Sequence, residues 1–302
     1  MHERGRYEWG GSGGRLATAK RYFLVTKPRI IELLLVTTVP SMVIADGGWP
    51  GTWLVLATLL GGAMSAGSAN AINNYLDRDI DRLMRRTSKR PTAQDAVSPR
   101  GTLVFGVVLG IVGFVWLALL VNLTAALLAT SAILLYVFVY TLGLKRRTDQ
   151  AVVVGGIAGC MPVLTGWAAV PGASLADARP WLLFAILLWW QPPHFWALAM
   201  KYRDDYAAAG LPMLPVTRGV DEATRQILLS SYLLLAVVLL YIAGARTGWI
   251  FTPVALTLTA GWLWLAHRLR AERTVKQAMR LFHFSTSYLA LVFIAAAVDA
   301  VL

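Results

Sequence analysis

With 302 residues, 57% of them apolar and only 15% charged, and a mean hydropathy of +0.59, the chain cannot be an ordinary soluble domain. A net charge of +12 would suggest a nucleic-acid partner for a soluble protein. These numbers describe a polytopic helical membrane protein instead, where such an excess marks the cytoplasmic face and no nucleic acid is expected.

Residues 1–20 are polar, Gly-rich and basic, with no apolar stretch of signal-peptide type. They read as a disordered cytoplasmic tail ahead of a single membrane domain over 21–302. Nine apolar segments follow, covering 30–46, 52–74, 102–121, 123–143, 151–170, 180–200, 226–246, 249–267 and 282–302. Most approach the ~20 residues that cross a bilayer as helix. Lys and Arg alternate across them: 26 lie in the tail and after the even-numbered segments, and 2 after the odd-numbered ones. That asymmetry predicts nine spans, an N-terminus inside, a C-terminus outside and a cell-membrane location. Trp49, Trp53, Trp181 and Trp249 fall at outer span ends, where indole rings favour the interface. Gly106 with Gly110, and Gly155 with Gly159, are spaced for close helix packing.

The stretch closing the second segment, NAINNYLDRDIDRLMRRTSKRP, carries the densest chemistry. Read as helix, Asn70, Asn73, Asp77 and Asp81 share one stripe. Stacked carboxylates repel unless a cation sits between them, and oxygen-only ligands point to Mg²⁺. A solvated helix end with Asp–Arg pairs at i+3 or i+4 is the plainer alternative. Polar groups leaving a membrane span are functional by default, which favours the metal. Asp79 lies on the opposite face and is expected to pair with Arg82 or Arg78.

The fourth segment ends in Lys145-Arg146-Arg147 and the sixth in WWQPPHFWALAMKYRDDY, on the same expected side. Segments two and six stand four apart, which suggests two related halves and one extra helix. Pro192 and Pro193 break the hydrogen-bond ladder of the sixth helix, which a membrane helix tolerates only where a cavity or neighbour takes over. Asp77, Asp81, Asp204 and Asp205 could hold Mg²⁺ against a diphosphate, with Arg86, Lys89, Arg90, Lys145, Arg146 and Arg147 closing over the same oxygens. Such a site stabilises a diphosphate leaving group. Of the four histidines, His194 and His283 are the two that could act as a base or meet a haem iron. Cys160 reads as packing, and no P-loop, Cys-x-x-Cys or His-Glu-x-x-His is present.

The Asn73–Asp81 run, followed by Arg86-Thr87-Ser88-Lys89-Arg90-Pro91, resembles the aspartate-rich motif of the UbiA-type intramembrane prenyltransferases. With Thr26–Pro40, Tyr140–Thr148, Gln191–Phe195, Asp204–Val216 and the closing LFHFSTSYLALVF, the likeness runs from about residue 20 to the end and is similar to the haem-farnesylating branch. It implies a nine-helix bundle with a cavity open to the cytoplasm, farnesyl diphosphate and haem B as substrates, and Mg²⁺ as cofactor. It further implies a product handed to haem A synthase or terminal oxidase assembly. Position by position it assigns Asn73, Asp77 and Asp81 to a first metal–diphosphate motif and Asp205, beside Asp204, to a second. Arg86, Lys89 and Arg90 would meet the diphosphate, and His194 the haem. The second motif departs from the wider superfamily, because Ala208 and Ala209 stand where another aspartate is usual. An ion-coupled transporter, a CDP-alcohol phosphotransferase and a prenyltransferase acting on a quinone precursor are the rivals. The first would place its carboxylates near the midplane, and the second would need an Asp-Gly-x-x-Ala-Arg lead-in that is missing.

Overall fold

A computed structural model describes residues 14–302 apart from position 246, with backbone alone at 15 and 29–35. Its helices are α1 (Arg15–Val25), α2 (Pro28–Asp46), α3 (Thr52–Leu76), α4 (Arg78–Leu83), α5 (Pro99–Leu120) and α6 (Leu123–Leu134). After these come α7 (Ala151–Ala169), α8 (Ala178–Lys201), α9 (Arg203–Ala208), α10 (Leu214–Thr217), α11 (Gly219–Gly244), α12 (Phe251–Glu272) and α13 (Val275–Val301). A wider π-helical stretch, Leu135–Leu144, prolongs α6. Each of the nine apolar segments coincides with one long helix. Seven of these, among the described residues, are long and apolar enough to cross a membrane. The expected tail lies outside the described residues over 1–13, whereas residues 15–20 belong to α1.

Local chemistry explains the boundaries. Ser98 starts α5 by accepting from the Gly101 N–H at 3.0 Å, with Pro99 in the first turn. Asn122 starts α6 by accepting from Ala125 N at 2.8 Å, and its amide donates to Ala168 O at 2.7 Å on α7. Gly47 closes α2 at φ 72°, a left-handed position that suits glycine. Lys27, at φ 55°, separates α1 from α2.

The main core joins α7, α8, α11, α12 and α13 around the fully buried Trp167, Trp196 and Trp262. Trp262 donates to Ser231 Oγ at 2.9 Å and Trp190 to the Ser285 carbonyl at 2.7 Å inside the bundle. On the other side, α3 packs along α5 and α2 along α7. Val104, Ile111 and Leu119 of α5 stay exposed, as a lipid-facing stripe requires. Trp49, Trp53, Trp181 and Trp249 are exposed too.

One expectation needs correction. Asn70–Asp81 is not one helix, because α3 stops at Leu76 and Asp77 (φ −95°, ψ 5°) separates it from α4. The carboxylates therefore leave the single straight stripe. α8 continues through Pro192 and Pro193, and the residues on either side of the pair, Gln191 and His194, line a cavity. Gln191 donates to Gly156 O at 2.9 Å, to Cys160 Sγ at 3.0 Å and to Leu187 O at 3.4 Å, and so ties α8 to α7. The ends of α3 and α8 are built alike: each yields to one residue near φ −100° and then a six-residue helix carrying two aspartates.

The glycine pair on α5 is a contact with α3. A Cβ at Gly106 would stand 2.8 Å from Ile72 Cγ1 and 3.2 Å from the Ile72 backbone nitrogen. Gly106→Val should thus force α3 and α5 apart and destabilise the protein by about 1–3 kcal/mol. Thermal unfolding in lipid or detergent will show a lowered midpoint. Gly172→Ala is not a fair control because its φ is 80°, so Leu119→Ala on the lipid face serves.

Candidate active site

A cavity of about 470 Å³ runs between α2, α3, α7, α8 and α13. Its polar end is lined by Lys27, Asn70, Asn73, Asp81, Arg86, Arg90 and Lys145, and its far end by Trp190, Gln191, His194 and Phe282. Gly62, Ala66, Ala69, Gly155, Gly156 and Gly159 line it too, so small residues leave the room.

The end of α3 supplies a chain of amides. Asn70 donates to Thr26 O at 2.9 Å and Asn74 to Val25 O at 2.6 Å, which fastens α3 to the turn before α2. Asn73 accepts from Lys27 Nζ at 2.7 Å and donates to Asp77 Oδ2 at 2.6 Å and Thr141 Oγ1 at 3.2 Å. Thr141 lies in the π-helical stretch and donates to Tyr136 O, five residues back, at 2.8 Å. Lys145 closes that stretch and pairs with Asp77 Oδ2. Asp77 is fully buried, and its Oδ1 has no hydrogen-bond partner. Arg146 stands 3.9 Å from that oxygen.

Asp81, 3% exposed, takes both oxygens to Arg90 Nη1 at 2.8 and 2.7 Å. Asp79 pairs with Arg146 at 2.7 Å, not with Arg78 or Arg82, and the guanidinium holds its carboxyl below the usual carboxylate range. Arg82 pairs with Asp95. The ion pairs are therefore long-range closures between segments, not i+3 or i+4 surface pairs. Asp77 itself opens on a neighbouring hollow of about 400 Å³ with Asp79, Thr141 and Arg146, while Asn73 and Asp81 face the main cavity.

The second acidic segment stands apart. Asp204 is exposed, and Asp205 accepts from the Arg86 backbone N–H at 3.4 Å. Among the described residues no three His, Cys, Asp or Glu side chains gather as a metal cluster. The expected grouping of Asp204 and Asp205 with Asp77 and Asp81 is thus not formed, because the 84–90 turn with its cations lies between them. Arg86 bridges the two segments, reaching Tyr206 Oη at 3.3 Å with its guanidinium over the Tyr202 ring at 5.6 Å. Lys89 is exposed and Arg147 lies outside the cavity lining. His194 lines the far end, whereas His283 is exposed on the other side of α13.

A fully buried carboxylate oxygen with no hydrogen-bond partner among the described residues, on a side chain whose other oxygen meets the Asn73 amide, fits a hard cation. Mg²⁺ is usually held by one or two carboxylates plus substrate phosphates, so the absence of a third nearby acid is no obstacle.

A model of the UbiA prenyltransferase family matches residues 34–292. The chain belongs to the UbiA prenyltransferase family. It is therefore a prenyl-transferring enzyme of the membrane. It is 54% identical over 281 residues to protoheme IX farnesyltransferase 1 of Saccharopolyspora erythraea, covering 92% of this chain and 89% of that one. It is 51% identical over 290 residues to protoheme IX farnesyltransferase of Frankia alni, covering 94% and 99%. Among solved structures it resembles a UbiA homolog from Archaeoglobus fulgidus bound to DMAPP and Mg²⁺. There the TM-score is 0.71 at 17% identity, over 93% of this chain and 99% of that one.

Three features of this UbiA enzyme were missed in the sequence. Lys27 was passed over as a positive-inside charge, although a lysine directly before a proline-started span was its signal. Tyr136 and Tyr140, stacked at 5.4 Å, both line the cavity and were read only as span residues. Asp149 ties the loop after Lys145 to α11, accepting from Arg218 Nε at 2.5 Å and Thr217 Oγ1 at 3.0 Å. Burial would raise its carboxyl, but the Arg218, Thr217 and Gln150 hydrogen bonds outweigh that and lower it.

Removing one partner of a buried ion pair costs far more than removing an exposed one. Lys145→Met should destabilise the protein by about 3 kcal/mol, by stranding Asp77. Arg82→Ala, at an exposed pair, should cost at most about 1 kcal/mol. Denaturant titration of the two variants in the same micelle checks the contrast.

Proposed function

We infer that this enzyme transfers farnesyl from farnesyl diphosphate to a vinyl group of haem B, adds water, and releases diphosphate and haem O. Half the chain's residues are shared with protoheme IX farnesyltransferases across nearly its full length. The observation that carries the site is one cavity with a cationic, carboxylate-bearing end and an aromatic, histidine-bearing end. Haem is a flat aromatic iron chelate, and the far end is walled by aromatic rings, with His194 stacked between Trp190 and Phe282. The small-residue passage between the ends suits a thin prenyl chain.

Asn73, Asp77 and Asp81 would hold Mg²⁺, with Asp205 available to a diphosphate that reaches the 84–90 turn. The metal when bound neutralises charge on the departing diphosphate. Arg86, Arg90, Lys145 and Lys27 offer charge to the same oxygens, with Arg146 beside them. Arg90 and Lys145 now neutralise Asp81 and Asp77, so they can turn to phosphate once a cation replaces them. Asn70, bonded to the Thr26 carbonyl, keeps α3 in register with Lys27.

The chemistry is an ionisation. The C1–O bond of the farnesyl diphosphate breaks with both electrons going to diphosphate, and the allylic cation meets the terminal vinyl carbon. The new carbocation beside the porphyrin ring is captured by water, which loses a proton to become the hydroxyl. Tyr136 and Tyr140, at the edge of the polar end, present aromatic faces where the allylic charge develops. The buried walls keep water from the cation before the acceptor does.

Nine spans with the N-terminus and the active site on the cytoplasmic side follow from the 26-to-2 distribution of Lys and Arg. The bilayer is then the medium that delivers both substrates, and haem O passes on to haem A synthase or oxidase assembly.

Purified protein in lipid, given haem B, farnesyl diphosphate and Mg²⁺, should yield a hydroxyethylfarnesyl haem by mass. Asp77→Asn should lower kcat/KM at least about 10²-fold, in keeping with loss of one preorganised charge at a leaving group, and EDTA should abolish turnover. Unchanged haem alongside a prenylated quinone precursor would refute the acceptor and keep the donor site.

A further inference from the structure

His194 is held on three sides. Its ring stacks on Trp190 at 4.3 Å and on Phe282 at 4.5 Å, and Phe195 meets it edge-on at 5.3 Å. Its Nδ1 lies 2.6 Å from Ser285 Oγ. Among the described residues Nε2 makes no hydrogen bond, and His194 lines the cavity.

The hydroxyl of Ser285 decides which nitrogen carries the proton. Ser285 Oγ also lies 2.6 Å from the Phe282 carbonyl, one turn back on α13. A serine hydroxyl has one proton and a carbonyl has none. Were that proton given to His194, two acceptor oxygens would face each other at 2.6 Å with nothing between them. The proton therefore goes to Phe282 O, and Ser285 Oγ accepts from His194 Nδ1–H. The neutral imidazole then keeps its lone pair on Nε2. Trp190, donating to the Ser285 carbonyl at 2.7 Å, pins the backbone that carries the hydroxyl.

We propose that Ser285 is a positioning residue for haem capture, fixing His194 in the tautomer whose Nε2 lone pair faces the substrate cavity and the haem iron. This rests on the reading of His194 as the residue that meets haem. An outer partner that fixes a ligating imidazole typically changes affinity 10–100-fold.

The test is haem titration into full-length protein in nanodiscs, without farnesyl diphosphate, for wild type, Ser285→Ala, Ser285→Thr and His194→Ala. Resonance Raman of the ferrous complex reports the iron–histidine stretch. Ser285→Ala removes one oxygen from a buried site and leaves the ring contacts in place. It should weaken haem binding about 10-fold and weaken or shift the stretch. KM for haem should rise while kcat and the KM for farnesyl diphosphate stay near wild type. Ser285→Thr, which keeps the hydroxyl, should restore both binding and band. If Ser285→Ala matches wild type while His194→Ala loses the band, the positioning role is wrong and the haem reading of His194 survives. A band that persists in His194→Ala overturns both.

Discussion

A fully buried carboxylate at the mouth of a membrane bundle is the constraint on which this structure depends. Asp77 is removed from water and has to be neutralised where it stands, which draws Asn73 from its own helix and Lys145 from the end of the π-helical stretch. Lys145 follows the π-helical stretch Leu135–Leu144, and the loop beyond it is fastened to the start of α11 through Asp149 and Arg218. Asp81 imposes the same demand on the 84–90 turn and is answered by Arg90. The loops at this end of the bundle are thus ordered by charge balance as much as by apolar packing.

That arrangement serves a reaction in which charge moves. With the pairs in place the buried acids are tolerated, and a cation together with a diphosphate offers each of Asp77, Asp81, Lys145 and Arg90 a new partner of the right sign. The opposite end of the cavity is built from rings instead of charges, and the histidine there is oriented by a serine and a tryptophan. Between them the wall is glycine and alanine. At Gly159 a Cβ would stand 2.8 Å from Gln191 Oε1, and at Gly155 it would collide with the Tyr140 ring. Those positions were legible as helix-packing pairs, yet they pack side chains of the cavity wall.

Much of the fold was readable because membrane helices announce themselves twice, by apolar length and by the charges that flank them. The segment written as 52–74 is Thr52–Leu76, and 151–170 is Ala151–Ala169. The break at Asp77 was not readable. Helical spacing extrapolates through any residue that tolerates helix, and the bend depends on distant partners for Asp77 and Asp81. Pro192-Pro193 could be read as a place where a cavity or neighbour meets the helix, and there α8 runs on beside the cavity with Gln191 bonded to α7. Asn73, Asp81 and His194 could be singled out as candidates from residue type and spacing, and all three line the cavity, whereas the contacts of Lys27 and Ser285 could be seen only once α2, α3, α8 and α13 stood side by side.

The most direct test of the account is a structure with Mn²⁺ in place of Mg²⁺ and the unreactive farnesyl thiodiphosphate, using the anomalous signal of the metal. The account predicts manganese against Asp77 and Asp81, with Lys145 and Arg90 swung onto phosphate oxygens and the prenyl chain directed along the Gly/Ala passage toward His194. Diphosphate bound elsewhere, with the Asp77–Lys145 and Asp81–Arg90 pairs intact and no metal beside them, would contradict it.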